Sequence, residues 1–256
     1  MSENNDALSP MTDVSNMFSV DDYMYFYSDY LNPEHSDAET KAIAALLIMD
    51  RRMKVLDLAC GFGRIANRLA RLGHQVTAVE YHPGFLEIAR QEAEQMRVRV
   101  DYRQSDMRVV ELPTGFDRAI MVFNSFGYFT DEENLGILAK IAGALKPGGL
   151  LGFDISHRDG VLNDFHPHFV TEKDQNLMIN RFSFDVLTGR LHNDRIIIRD
   201  GVRKDRPFSL RLYSMTEIRE VLREAGLQLV AVFGEWDGQP LQFDSPSMVV
   251  VAGKAA

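Results

Sequence analysis

Hydrophobic and polar positions change period along this chain, and the changes divide it. KVLDLA (54–59), QVTAVE (75–80), RVRVDY (97–102), FDRAIMVFN (116–124) and LLGFDI (150–155) have the length and β-branched content of buried strands. Between them, Ile65 to Leu72 repeats apolar residues at helical spacing and stops at Gly73, a C-terminal cap signal. A further helix carries Phe85, Leu86, Ile88, Ala89, Ala93 and Met96 on one stripe. Another starts at a capping box of Thr130 and Glu133 and runs to about Leu145, before the turn KPGG at 146–149. Strands and helices alternating in this way need right-handed crossovers, so the expected fold is doubly wound α/β with a parallel sheet.

After Ser156 the period drops to two. LMINRFSFDV, the turn LTG, RLHNDRIIIRD and PFSLRLYS alternate in polarity and meet at glycine-containing turns, which predicts an inserted antiparallel β meander. A last helix follows, capped by Ser214 and Glu217, with Ile218, Val221, Leu222 and Ala225 on its apolar face and Gly226 at its end. LQLVAVFG and SMVVVAG complete a Rossmann-like, seven-stranded, mostly parallel sheet as an antiparallel edge hairpin. At the other end of the chain, Ser36 and Glu39 read as a capping box after Pro33, opening a helix through Leu46 and Leu47 to Asp50. The expected organisation is a tail at 1–20, a main domain at 21–156 and 214–254 whose first segment (21–35) forms a lid, and an insertion at 157–213. That insertion either covers a ligand site or forms an oligomer face.

Composition narrows the partners. A formal net charge of -9, with 37 acidic against 28 basic residues, argues against electrostatic attraction to nucleic acid. The apolar run Ala42 to Met49 is too short to span a bilayer, which needs roughly 20 residues. The first twenty residues show no signal-peptide pattern, so a cytoplasmic location is expected. A single cysteine, Cys60, gives no internal disulfide, and no metal site is read.

The chemistry concentrates in VLDLACGFGR (55–64). In an open parallel sheet, ligands bind at the carboxyl ends of strands where the strand order reverses, and the first strand ends here. Gly61 and Gly63 let the backbone turn sharply and approach a ligand. Glu80, ending the second strand nineteen residues after Gly61, can accept from both hydroxyls of a ribose. Those features also satisfy a loose dinucleotide pattern. Asp57 separates the two cases, because a carboxylate facing the ligand repels a pyrophosphate and attracts the ammonium of an amino-acid cofactor. SDM (105–107) adds Asp106 for an adenine amine and Met107 for its face. Cys60 is read as a small packed residue rather than a nucleophile, since no histidine partner is recognisable.

With VLDLACGFGR, the VE at 79–80, SDM, FDRAIMVFNSFGYF and LKPGG in this order, the chain resembles the class I S-adenosylmethionine-dependent methyltransferases of small-molecule type over about residues 20–254. Ala59 stands where that family often has glycine. The resemblance implies S-adenosylmethionine as cofactor, with contacts from Asp57, Ala59, Gly61, Gly63, Glu80, Asp106, Met107, Phe123 and Asn124; Tyr81, beside Glu80, is counted with them. It also places the tyrosine-rich segment YMYFYSDY over the methyl group, with Tyr27 and Tyr30 favoured for that contact.

On the acceptor side, Phe126 and Tyr128 are expected to line an apolar pocket, and Asn124 without following prolines departs from the DNA amino-methyltransferase pattern. His157, ahead of His166 and His168, is the candidate general base. Among Arg181, Arg195, Arg199 and Arg211, Arg211 beside Tyr213 is the candidate for an acceptor carboxylate. The predicted activity is in-line methyl transfer to N, O or C of a small metabolite. Two alternatives are a nicotinamide-dependent oxidoreductase and a non-catalytic S-adenosylmethionine-binding protein; a homo-oligomer through the insertion is a further expectation.

Overall fold

The computed structural model of the chain describes residues 19–255, so the expected tail at 1–20 lies almost wholly outside the described residues. The α/β pattern folds into α1 (Val20–Tyr27), α2 (Pro33–Leu46), β1 (Lys54–Leu58), α3 (Arg64–Arg71), β2 (Gln75–Glu80), α4 (Pro83–Gln95), β3 (Val100–Gln104), β4 (Phe116–Met121), α5 (Asp131–Ala144) and β5 (Leu145–Ser156). A short α6 (Arg158–Asn163) leads into β6 (His168–Lys173), β7 (Asn176–Asp185), β8 (Arg190–Asn193), β9 (Ile196–Arg199), β10 (Val202–Asp205) and β11 (Phe208–Arg211). The chain returns through α7 (Met215–Glu224), β12 (Leu227–Phe233) and β13 (Ser247–Lys254).

The first sheet has seven strands in the order β12-β13-β5-β4-β1-β2-β3. Its strands β3, β2, β1, β4 and β5 pair in parallel, while β13 runs antiparallel between β5 and β12. Strand order reverses on either side of β1, which puts the carboxyl ends of β1 and β4 at the switch point. Alternation along the strands sends side chains to two cores. Leu56 and Leu58 pack towards Ile137, Leu138 and Ile141 of α5 and Ile218 and Leu222 of α7. Val55, Val76 and Ala78 pack towards Ile43 and Leu47, and towards Ile65, Leu69 and Leu86 of α3 and α4. With both faces covered, the central strands read as continuous apolar runs.

The second sheet has six strands, β10-β9-β7-β8-β11 with β6 beside β7. It is larger than the expected meander. RLHNDRIIIRD does not form one strand: β8 pairs with the later half of β7 (Phe182 opposite Asn193), and β9 with its earlier half (Ile179 opposite Ile196). The chain breaks at Asp194 and Arg195, where the Asp194 N–H donates to Arg181 O at 2.9 Å. β6, β10 and α6 carried no signal strong enough to be expected.

Other elements shift for local reasons. Asn32, not Ser36, caps α2: its Oδ1 accepts from His35 N at 2.9 Å and Pro33 takes the first helical position. Ser36 bonds instead to Leu31 O, and Glu39 turns to Arg64. The helix stops at Leu46, with Ile48 at φ 51°. β3 starts at Val100 because Arg97, at φ 56°, still belongs to the end of α4. KPGG is an irregular entry to β5 rather than a separate turn. The capping boxes at Thr130 with Glu133 and at Ser214 with Glu217 are both present.

Candidate active site

A cavity of about 910 Å³ opens at the carboxyl ends of the parallel strands and continues under the second sheet. Ligand pockets run to roughly 300–1,000 Å³, so there is space for more than one small molecule. Asp57, Ala59 and Gly61 line it from β1, Glu80 and Tyr81 from β2, and Asp106 and Met107 from the loop after β3. Phe123, Asn124 and Tyr128 line it from the loop after β4, and Tyr27 and Tyr30 from the N-terminal segment.

The turn after β1 is built from left-handed residues: Ala59 at φ 63°, Gly61 at φ 54° and Gly63 at φ 78°. The two glycines serve different needs. A Cβ added to Gly61 meets no protein atom within 4 Å, so the space beside it belongs to the cavity. A Cβ added to Gly63 would run into the Tyr102 hydroxyl and lie 2.7 Å from the Ala89 Cβ. Gly63 does not line the cavity; it lets α3 lie close to α4 and β3.

Charge collects at the same turn. Asp57 is 2% exposed, and burial pushes its carboxyl up to about 7, against the attraction of Arg64 and with the repulsion of Glu80. Burial also raises Glu80, although its Oε2 accepts from Gly61 N at 3.0 Å and its Oε1 from His82 N at 2.8 Å. The bond from Gly61 ties the end of β2 to the turn, and both bonds leave each oxygen with acceptor capacity. Arg64, 5% exposed, pairs through Nη1 with Glu39, lies 5.6 Å from the Phe123 ring, and has a buried Nη2 without a hydrogen-bond partner. An anion entering this end of the cavity would satisfy that nitrogen. Cys60 lies beside these acids, and burial pushes its thiol well up, so no thiolate nucleophile forms at neutral pH.

Asp106 is held differently from the expectation of a free acceptor. Its Oδ1 accepts from Arg108 N at 2.8 Å, and its Oδ2 from Arg108 Nη2 at 2.7 Å. Burial works to raise its pKa, but Arg108 outweighs it and holds the carboxyl below its usual range. Arg108 in turn lies over Phe129 at 4.4 Å and pairs with Glu133 at 3.1 Å.

The loop after β4 rests on a carboxylate that the sequence reading passed over. Phe123 and Asn124, at φ 66° and 57°, both donate their N–H groups to Asp154 of β5, each at 2.7 Å. Trp236 Nε1 donates to the same group at 3.1 Å. Burial still pushes Asp154 up to about 6, against those three donors. Asn124 is spent in the same framework, its Oδ1 accepting from Ser156 N at 2.9 Å. The signal was a lone acid inside the apolar run LLGFDI.

Three other expected residues lie outside the cavity. His157 is 4% exposed, its Nδ1 is 3.0 Å from Ser245 O, and it packs against the β12–β13 connection, so it is not placed as a general base. Phe126 is 1% exposed and packs between Phe153 and Tyr213 in the core, because the loop turns it back under the sheet. Arg211 points the other way, bonding Glu217 at 2.8 Å and stacking 4.7 Å over Tyr213. The cavity is instead lined on that side by Arg195 with Phe165, Phe182 and Phe208.

The N-terminal helix α1 is tied to the second sheet. Asp22, buried in α1, pairs with Arg199 at 3.3 Å and Lys204 at 3.0 Å, while Phe26 packs with Met178 and Ile197. Tyr27 sits edge-on to Phe123 at 6.1 Å with its hydroxyl 3.9 Å from Met178 Sδ; Tyr30 lies 6.3 Å from the same ring. Among the described residues, no helix is long and apolar enough to cross a membrane.

Comparison with known proteins agrees with this geometry. Residues 55–149 match a methyltransferase domain family. A putative methyltransferase of Geobacillus sp. (strain WCH70) is 25% identical over 246 residues, covering 92% of this chain and 100% of the relative. An S-adenosylmethionine-dependent methyltransferase from Clostridium acetobutylicum shares the fold with a TM-score of 0.79 at 16% identity, over 92% of this chain and 99% of its own. The sugar N-methyltransferase KedS8 from Streptoalloteichus does so at 0.70 and 19%, over 100% and 97%. With that domain match inside this strand order and around this cavity, the chain carries a methyltransferase domain and has the fold of S-adenosylmethionine-dependent methyltransferases.

Proposed function

We propose that the protein transfers the methyl group of S-adenosylmethionine to N, O or C of a small metabolite held beneath the inserted sheet. The observation that carries this reading is the continuity of one cavity from the acids at β1 and β2 to the aromatic wall of the second sheet. A sugar N-methyltransferase with the same fold supports a small acceptor.

When bound, S-adenosylmethionine would supply an electrophilic methyl for in-line displacement by the acceptor's lone pair, with the carbon–sulfur electrons left on sulfur and the acceptor's proton released to water. Asp57 would hold the cofactor's ammonium, and the free Nη2 of Arg64 would take its carboxylate. Glu80 accepts from the ribose hydroxyls, and Met107 with Tyr81 borders the base. Asp106 orders that loop through Arg108. The rings of Tyr27, Tyr30 and Phe123 would attract the positive sulfur and keep water away from it. Tyr27 acts through its ring, and its hydroxyl is directed at Met178.

A nicotinamide cofactor is disfavoured by the buried Asp57, since a pyrophosphate would meet an acid there. The test is formation of S-adenosylhomocysteine on incubation with S-adenosylmethionine and a small-metabolite extract. Turnover that needs the extract and is lost in Asp57→Ala supports the reading; no turnover with any fraction, or turnover indifferent to Asp57, contradicts it.

A further inference from the structure

The acceptor end of the cavity contains a cation that no acid of the described chain neutralises, and this narrows what the acceptor is. The inference rests on the reading of that chamber as the acceptor site. Arg195 stands at the break between β8 and β9 and lines the cavity. Its Nε donates to Asn180 Oδ1 at 2.9 Å, and Asn193 Nδ2 donates to the same oxygen at 2.8 Å. Both asparagines are buried, so the guanidinium is held from behind by a fixed amide pair. Its carbon lies 4.8 Å from the Phe208 ring centroid. Among the described residues Arg195 forms no ion pair, and its two Nη atoms make no hydrogen bond.

Acids outnumber bases in this chain by 37 to 28, so the missing carboxylate at this cavity wall is not for want of acids. Arg64, Arg68, Arg108, Arg199 and Arg211 each have a carboxylate partner. A guanidinium pre-positioned by an amide, with its fork of Nη donors unspent, matches the bidentate geometry of a carboxylate. The surrounding walls are flat and apolar: Phe165, Phe182, Phe208, Leu191 and Leu210 line the same chamber. Burial pushes the nearby Tyr128 phenol up to about 12 against the field of Arg195, so that ring stays neutral and leaves the cation uncompensated.

We propose that the acceptor is a flat, largely apolar molecule, such as an aromatic ring system, whose carboxylate pairs with Arg195 while its nucleophilic atom faces the Phe123–Asn124 loop. A cationic acceptor, such as an amino sugar, is repelled from the same place.

The test is calorimetry on the full chain saturated with S-adenosylhomocysteine, titrated with hydroxybenzoic, hydroxycinnamic and aminonaphthoic acids, with their methyl esters, and with glucosamine. At least one acid binds about tenfold or more tighter than its ester, as expected for a hydrogen-bonded ion pair, and glucosamine does not bind. Arg195→Gln brings that acid-to-ester ratio near one, Arg195→Lys keeps part of it, and neither changes S-adenosylhomocysteine affinity more than about twofold. Because the ratio is read on the unaltered protein, the test survives a variant that folds poorly. Equal binding of acids and esters, binding of none of the acids, or a ratio that persists in Arg195→Gln overturns the proposal. If S-adenosylhomocysteine itself does not bind, it is the underlying methyltransfer reading that fails.

Discussion

The two ends of the cavity are built on opposite principles. At the donor end, charged groups stand on the ends of parallel strands: Asp57 and Glu80 within two neighbouring strands, and Asp154 under the β4 loop. Backbone N–H groups tie Glu80 and Asp154 down, so those polar atoms are fixed before any ligand arrives. At the acceptor end, aromatic side chains from α6 onward meet across an antiparallel sheet around one arginine. A strand end fixes a polar atom through its backbone, whereas a hairpin face offers shape and can change its side chains without disturbing the fold. Helix α1 joins the second end rather than the first, through Asp22 with Arg199 and Lys204.

The strongest probe of where the acceptor end stops is Phe126. As a fully buried ring between Phe153 and Tyr213, its replacement by Ala should cost about 3–5 kcal/mol of stability. Denaturant unfolding measures this, and S-adenosylhomocysteine affinity of the folded protein should hold. A variant of normal stability would put Phe126 back in the acceptor pocket.

Next come the two glycines of the donor turn. Gly63→Ala should lose about 2–4 kcal/mol, combining the left-handed backbone with the overlap at Ala89 and Tyr102. Gly61→Ala should lose only about 1 kcal/mol, because its Cβ enters open cavity. Binding should order them the other way: Gly61→Ala weakens S-adenosylhomocysteine by at least about tenfold, and folded Gly63→Ala binds nearly normally. Thermal unfolding and calorimetry on both variants would expose a reversed order.

A smaller effect separates the donor acids by pH. Asp57 titrates near 7 in the free protein, above its unfolded value, so the folded chain gains a proton as pH falls through 7. In the proposed binding mode the cofactor ammonium needs the ionised form. Affinity for S-adenosylhomocysteine should therefore fall roughly tenfold between pH 7.5 and pH 6, and Asp57→Asn should bind more weakly with a flatter profile. The same shift makes the ligand-free protein lose stability as pH rises from about 4 towards 7, where the buried carboxylate ionises.

The smallest effect is at Ala59, an alanine held at φ 63°. Ala59→Gly should stabilise the protein by about 0.5–1 kcal/mol and leave binding unchanged; a loss of stability in thermal unfolding would show that the Cβ has a packing role.

The sequence made the donor end legible because its parts are contiguous or sit at strand ends. VLDLACGFGR, Glu80 and the 105–107 segment each occupy a place that the βαβ pattern fixes. Asp154 was missed because a single acid in an apolar run declares itself only once β5 is known to lie beside β4. The acceptor end was misread for a different reason. Arg211 lies between Leu210 and Leu212, both buried, so the two-residue period of a strand turns it to the opposite face. Arg195 sits where the two-residue period does not carry through, with Leu191 buried before the break and both Ile196 and Ile197 buried after it. The break at Asp194 and Arg195 hid it by making two strands read as one. His157 follows the last parallel strand, as a general base might, but the long connection between β12 and β13 packs over it, and nothing in the local sequence announces that contact.

A crystal structure of the complex with S-adenosylhomocysteine tests the central claim most directly. The account predicts the ribose at Glu80, the amino-acid end between Asp57 and Arg64, and the sulfur facing the chamber bounded by Phe123, Tyr27 and the second sheet. A ligand whose sulfur turns away from that chamber, or whose amino-acid end lies away from Asp57, would contradict it.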